Sequence, residues 1–187
     1  MTEELEKAAA VQQKIAGMHI FYYSHVLESY IENAIEFIEQ GIREGDQVLF
    51  VENTRIYPMI RRKLEERLTA EEMEKFHYEN NFDFYWKNRN FHPQTILSHF
   101  ADLSAELNQK EGSLRTWGHI EWGDQQDIEH ELETYETALE ELVFESKGIS
   151  VCAYDASRVS DELKEKLMIL HNFHMTDEKK AFLLINR

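Results

Sequence analysis

From Gly17 onward, short runs of β-branched and aromatic residues alternate with amphipathic segments of ten or more residues, and this alternation limits the chain to one fold class. Parallel strands need a long crossover to bring the chain back to the same end of a sheet, and a helix of that length supplies it. The first strand is His19–Ser24. Behind it the apolar period lengthens to Val26, Leu27, Tyr30, Ile31, Ala34, Ile35, Ile38 and Ile42, with Glu28, Glu32, Glu36 and Glu39 on the opposite face. Gln47–Glu52 is a near-continuous apolar strand, and Arg55–Leu68, with Pro58 in its first turn, is a helix. Thr69 and Glu72 have capping-box spacing and start a short extra helix.

Alternation over Asn81–Trp86 predicts a third strand, and Pro93 opens a helix to about Lys110. Leu114–Trp122 reads as the fourth strand, and Asp124 is placed to cap a long acidic helix ending near Gly148. Ile149–Asp155 is the fifth strand, Ser160 caps a helix through about His171, and Lys180–Ile185 closes the chain as a last strand. The expected fold is α/β, a doubly wound, mainly parallel sheet with helices on both faces.

The chain of 187 residues is long enough for one domain with a substantial core, expected over residues 17–187 and preceded by an N-terminal helical extension, residues 1–16. Only 20 Lys and Arg stand against 36 Asp and Glu, a formal charge of −16, which argues against nucleic acid or an anionic membrane as a partner. The single cysteine, Cys152, has no internal disulfide partner, and Met1–Ala16 lacks the apolar centre of a signal peptide, so the cytoplasm is the expected location.

In doubly wound sheets the ligand end lies where strands finish and helices begin. That rule selects Tyr23, Ser24 and His25; Glu52, Asn53 and Thr54; Trp86 and Lys87; His119, Glu121 and Trp122; and Tyr154, Asp155, Ser157 and Arg158. A nucleotide hydrolase would have a glycine-rich turn and a lysine after the first strand, because bare backbone is what wraps phosphates. Here that turn reads Tyr23-Ser24-His25-Val26-Leu27, so that chemistry is not expected. A metal site drawing on His171, His174, Cys152 and His25 lacks the paired clusters of structural zinc sites, and the two histidines read better as residues at a helix C-terminus. Cys152 reads as a buried structural thiol, and an acid/base group of His119, Glu121 and Asp155 depends on strand order. The aromatic residues Tyr22, Tyr23, Trp86, Trp117, Trp122 and Tyr154 suit either a core or a pocket for a small, mostly apolar ligand.

Four stretches taken together resemble a known family. They are Gly17-x-His19 leading into Ile20–Tyr23; Phe37–Ile42 with Gly45–Leu49; Arg115-x-x-Gly118-x-x-Glu121-Trp122 followed by Tyr135-Glu136; and Val151-Cys152-Ala153-Tyr154-Asp155 followed by a helix ending in His171. This set is similar to the MEDS domain, the sensory domain named from methanogen and methylotroph regulators such as the dichloromethane regulator DcmR. The resemblance implies a RecA/KaiC-like fold whose phosphate loop has been lost and which senses small molecules of the hydrocarbon-derivative type. Its family-motif residues here are His19, Arg115, Gly118, Glu121, Trp122, Glu136, Cys152, Tyr154, Asp155 and His171. Asn172 follows His171 where proline is typical, and the sequence carries no fused output segment.

The expectation is therefore a non-enzymatic sensory domain without a cofactor or bound metal. It would bind a small ligand through Tyr23, Ser24, His25, Glu52, Asn53, Trp86, Glu121, Trp122, Tyr154 and Asp155. It would act through a separate signalling partner such as a histidine kinase or transcription regulator, with a homodimer as one arrangement open to it. Two alternatives stand beside it: a purely protein-binding regulator using the acidic helices Glu28–Glu39 and Asp127–Glu145, and a metal sensor or enzyme using His25, Glu121, Cys152 and His171.

Overall fold

The computed structural model describes residues 17–181. Six strands, β1 (Met18–Ser24), β2 (Gln47–Glu52), β3 (Phe76–Asn80), β4 (Leu114–His119), β5 (Ile149–Asp155) and β6 (Phe173–Thr176), form one parallel sheet in the order β3-β2-β4-β5-β1-β6. Among the described residues the α-helices are α1 (Leu27–Arg43), α2 (Tyr57–Arg67), α3 (Ala70–Met73), α4 (Asn81–Tyr85), α5 (Pro93–Leu107), α6 (Ile128–Ser146) and α7 (Asp161–Leu170). No helix among these residues is long and apolar enough to cross a membrane.

Both faces of the sheet are buried, as the near-continuous apolar strands require. Met18, Ile20 and Tyr22 of β1 and Ile149, Val151 and Ala153 of β5 face α1 and α2 in one core, centred on Trp117. The intervening Phe21, Cys152 and Tyr154 face α4 to α7 in a second core. The ends of the helices follow the expected chemistry at two places. Thr69 and Glu72 form a reciprocal capping box at α3, and Ser160 Oγ accepts the Leu163 N–H at α7.

The structure corrects the sequence reading at four places. The third strand is Phe76–Asn80, not Asn81–Trp86: Asn80 Oδ1 accepts the Asp83 N–H and turns the chain into helix α4. Phe84 and Tyr85 are then buried while Phe82 is exposed, which a strand alternation of Phe82 and Phe84 would not give. The fourth strand stops at His119, so Glu121 and Trp122 lie in a loop. Asp124 does not cap α6, because Gln125 holds that loop to Phe91 through its Oε1 and Nε2, and the helix begins only at Ile128. His171 terminates α7, but His174 belongs to β6, opposite Phe21, rather than to a shared helix end. The expected strand Lys180–Ile185, beyond its first two residues, and the extension Met1–Ala16 lie outside the described residues.

Two family-motif residues serve this framework. Arg115, fully buried on β4, donates from Nε and Nη2 to Asp46 Oδ2 at 2.9 and 2.6 Å and from Nη2 to Glu44 Oε2 at 3.0 Å, tying β4 to the turn after α1. Gly118 makes room for Tyr85: a Cβ there would lie 2.1 Å from the Tyr85 hydroxyl.

Candidate functional site

The carboxyl ends of β1, β4 and β5 open onto a cleft of about 440 Å³. Leu27 and Tyr30 reach it from α1, Arg55, Ile56 and Met59 from the loop after β2 and the start of α2, and Ser24, His25, His119, Glu121, Tyr154 and Asp155 from the strand ends. A second cleft of about 270 Å³, between Asn53, Asn81, Trp86, Trp122 and Arg158, adjoins it and shares Arg55 and Glu121 with it.

Beneath the larger cleft runs a buried polar network. The Trp117 indole N–H donates to the Tyr30 hydroxyl at 2.9 Å, which donates to Glu52 Oε2 at 2.5 Å. The other oxygen of Glu52 accepts from His119 Nδ1 at 2.7 Å and from the Asn53 N–H at 2.7 Å. Burial opposes a charged His119, but the carboxylates of Glu52, Glu121 and Asp155 outweigh it and hold the imidazole pKa above its ordinary value. Burial likewise opposes charge on Glu121, and His119 together with hydrogen bonds from Asn81 (2.7 Å) and Asn53 (3.1 Å) overcomes it, so its carboxyl stays below the usual range. The floor of the cleft thus holds a fixed carboxylate–imidazole pair, while Leu27, Ile56 and Met59 provide an apolar wall.

The turn from β1 into α1 is occupied from within the chain. Val26 stands at the N-cap position and cannot cap with its side chain. Asp177, just after β6, fills that role: Oδ2 accepts the backbone N–H groups of His25 (2.9 Å) and Val26 (3.0 Å), and Oδ1 accepts the hydroxyls of Tyr22 (2.8 Å) and Ser24 (2.9 Å). A helix N-terminus of this kind attracts anions, and here a side-chain carboxylate takes the place.

Of the residues selected at the strand ends, the structure puts Ser24, His25, His119, Glu121, Tyr154 and Asp155 at the larger cleft and Asn53, Thr54, Trp86, Glu121, Trp122 and Arg158 at the smaller. Glu52 is fully buried and reaches the cleft only through Tyr30 and His119. Tyr23 stands apart, its ring against His25 and under Lys164 Nζ at 4.2 Å. Ser157 lies in the turn after β5, where it donates to Asp155. Leu27, Tyr30, Arg55, Ile56, Met59 and Asp177 are not among the site residues selected from the sequence. Tyr30 reads there as one more apolar helix position, and Asp177 follows a strand that the sequence does not announce.

The alternative set of His25, Glu121, Cys152 and His171 is divided by the structure. His25 and Glu121 are at the cleft, whereas Cys152 and His171 lie under the other face of the sheet, in one buried cluster with His19 and Glu136. The acid/base trio of His119, Glu121 and Asp155 does share one cleft, but the close partner of His119 is Glu52.

The chain is thus a parallel α/β domain with a cleft at the strand ends and with its helix-entry turn closed by its own carboxylate. The sequence model of the MEDS family, the MEthanogen/methylotroph, DcmR Sensory domain, matches residues 18–172, and the chain belongs to that family. No curated protein matches the chain.

Proposed function

We propose that this sensory domain binds a small, largely apolar molecule with one hydrogen-bonding group in the 440 Å³ cleft and passes the signal to a separate protein. One observation supports the reading above others: an apolar wall of Leu27, Ile56 and Met59 faces the fixed polar groups His119, Glu121 and Asp155 across a space of ligand size. Anionic ligands are disfavoured at the β1–α1 turn, where the Asp177 carboxylate already accepts the N–H groups of the helix entry.

A cavity of about 410 Å³ lies along α2 and α3, lined by residues such as Tyr57, Arg61, Leu68 and Phe76. Another, about 350 Å³ between α5 and α6 at the opposite end of the strands, is lined by residues such as Phe100, Ser104, Leu142 and Ser150 and contains no ionisable side chain. It offers shape without a charged orienting group. Calorimetric titration with n-butanol tests the reading. Binding that is lost in Met59→Glu and insensitive to salt supports it, and undiminished binding in that variant removes the cleft from consideration. If the acidic helix faces were instead the working surface, association with a partner would slow steeply as ionic strength rises.

A further inference from the structure

We infer that His19, Glu136, Cys152 and His171 form a closed, tetrahedral site for one divalent metal ion of the zinc type, between β1, β5, α6 and α7. The site is separate from the strand-end cleft and does not rest on ligand binding there.

The first ground is geometry. The four side chains are 1, 0, 2 and 3 % exposed, and one potential ligand atom from each lies within 4.8 Å of all the others. His19 Nε2 is 3.2 Å from Cys152 Sγ and 3.1 Å from Glu136 Oε2, and His171 Nε2 is 3.4 Å from Glu136 Oε2. With metal–ligand bonds of about 2.0–2.3 Å, the edges of a tetrahedron are roughly 3.3–3.8 Å. The three closest separations lie at or just below that range, and the other pairs lie within 4.8 Å, near enough for small side-chain rotations to close the set on one ion.

The second ground is the outer ring of contacts. His19 Nδ1 is held by Glu140 Oε2 at 2.7 Å, His171 Nδ1 by the Leu167 carbonyl at 2.7 Å, and Glu136 Oε1 by the Tyr154 hydroxyl. A carbonyl and a carboxylate only accept, so both imidazoles donate outward from Nδ1 and turn Nε2 to the centre. Metal-bound histidines are oriented in this way.

The third ground is what the cluster lacks without an ion. Glu136 Oε2 and His171 Nε2 are buried and have no hydrogen-bond partner, so lone pairs face each other across the centre. Protonating His19 alone would pair its Nε2–H with Glu136 Oε2 and still leave His171 Nε2 without a partner, and protonating both would stack two imidazolium rings with centroids 3.9 Å apart. A divalent cation removes the conflict: two neutral imidazoles, one thiolate and one carboxylate leave the buried centre with no net charge. Binding releases the Cys152 thiol proton to solvent, and all four positions are filled by protein, the pattern of a structural site. Sulfur and nitrogen donors in a tetrahedron favour zinc over the hard cations calcium and magnesium.

The test uses the full chain without a histidine tag, analysed for metals as purified and again after refolding from denaturant with Co²⁺ under reducing conditions. The expected result is one equivalent of zinc on isolation or one of cobalt on refolding. Cobalt should bring a thiolate-to-metal charge-transfer band and the intense visible bands of tetrahedral coordination. Cys152 is the only cysteine, so the charge-transfer band identifies its ligand even if Cys152→Ser fails to fold. Glu140→Gln, which leaves all four ligands in place, should weaken cobalt uptake by about 10–100-fold. Protein that is free of zinc and gives no thiolate band with cobalt overturns the inference, as does cobalt binding unchanged in a folded Cys152→Ser variant.

Discussion

Asp177 places its carboxylate on the backbone of Val26, Oδ2 accepting that N–H at 3.0 Å, and so supplies from the far end of the chain the cap that α1 does not carry itself. Burial opposes its charge, but hydrogen bonds from His25, Tyr22, Ser24 and Val26 prevail and hold its pKa below the usual carboxylate range. Asp177→Asn puts an amide donor among these donors and should cost about 1–3 kcal/mol, the scale of hydrogen bonds to a charged group. Because the folded pKa is lowered, the contribution is present above about pH 3.8 and fades as the pH falls through the folded value. Urea unfolding at neutral and acid pH should show the variant's deficit shrinking in acid.

Gly41 provides a test whose sign differs from helix propensity. An alanine in mid-helix usually stabilises by about 1 kcal/mol over glycine. In α1 the added Cβ would lie 2.5 Å from Cδ and 2.6 Å from Nε of Arg115, whose guanidinium is pinned by Asp46 and Glu44. Gly41→Ala should therefore destabilise, by about 1–3 kcal/mol as overpacking does. Thermal unfolding of the two proteins side by side decides it.

His119 gives the cleft a pH signature. Its folded pKa is raised, burial being outweighed by Glu52 and then by Glu121 and Asp155, so its stabilisation is complete below the ordinary value of 6.5 and is lost as the pH rises through the folded value. The readout is the difference between the wild type and His119→Asn, which cancels the contribution of other groups that titrate in the same range. That difference in unfolding free energy should be largest in mild acid and narrow in alkali.

Ligand charge should matter at the cleft as much as ligand shape. Glu121 and Asp155 line it, and both are held ionised by their surroundings. Competition calorimetry should rank butyrate well below n-butanol, which has the same four-carbon chain and no charge, and the Glu121→Gln variant should narrow the gap.

The chain pattern announces most of this fold, and its failures have physical causes. β2 and β5 appear at their expected limits because both faces of a central parallel strand are buried and the apolar run is continuous. The edge strand β3 is half-buried throughout, and its Phe76-His77-Tyr78-Glu79 alternation is no stronger than that of the helical Asn81–Tyr85 just after it. β6 has only four residues and follows α7 after a two-residue turn, so it reads as a helix tail. At the site, strand ends were legible because topology places them. Tyr30, Met59 and Asp177 were not, since a helix wall and a distant capping carboxylate depend on which elements pack together. His19, Glu136, Cys152 and His171 were each recognisable, but their convergence needs the β1–β5 register, in which His19 lies opposite Ser150, and the docking of α6 and α7 below it.

Methyl-resolved NMR of the full chain titrated with n-butanol tests sensing at the strand ends most directly. The account predicts saturable shifts concentrated on the methyl groups of Leu27, Ile56 and Met59, with Leu142 and Val143 at the opposite cavity unmoved. Shifts confined to Leu142 and Val143, or none at any of these methyls, would contradict it.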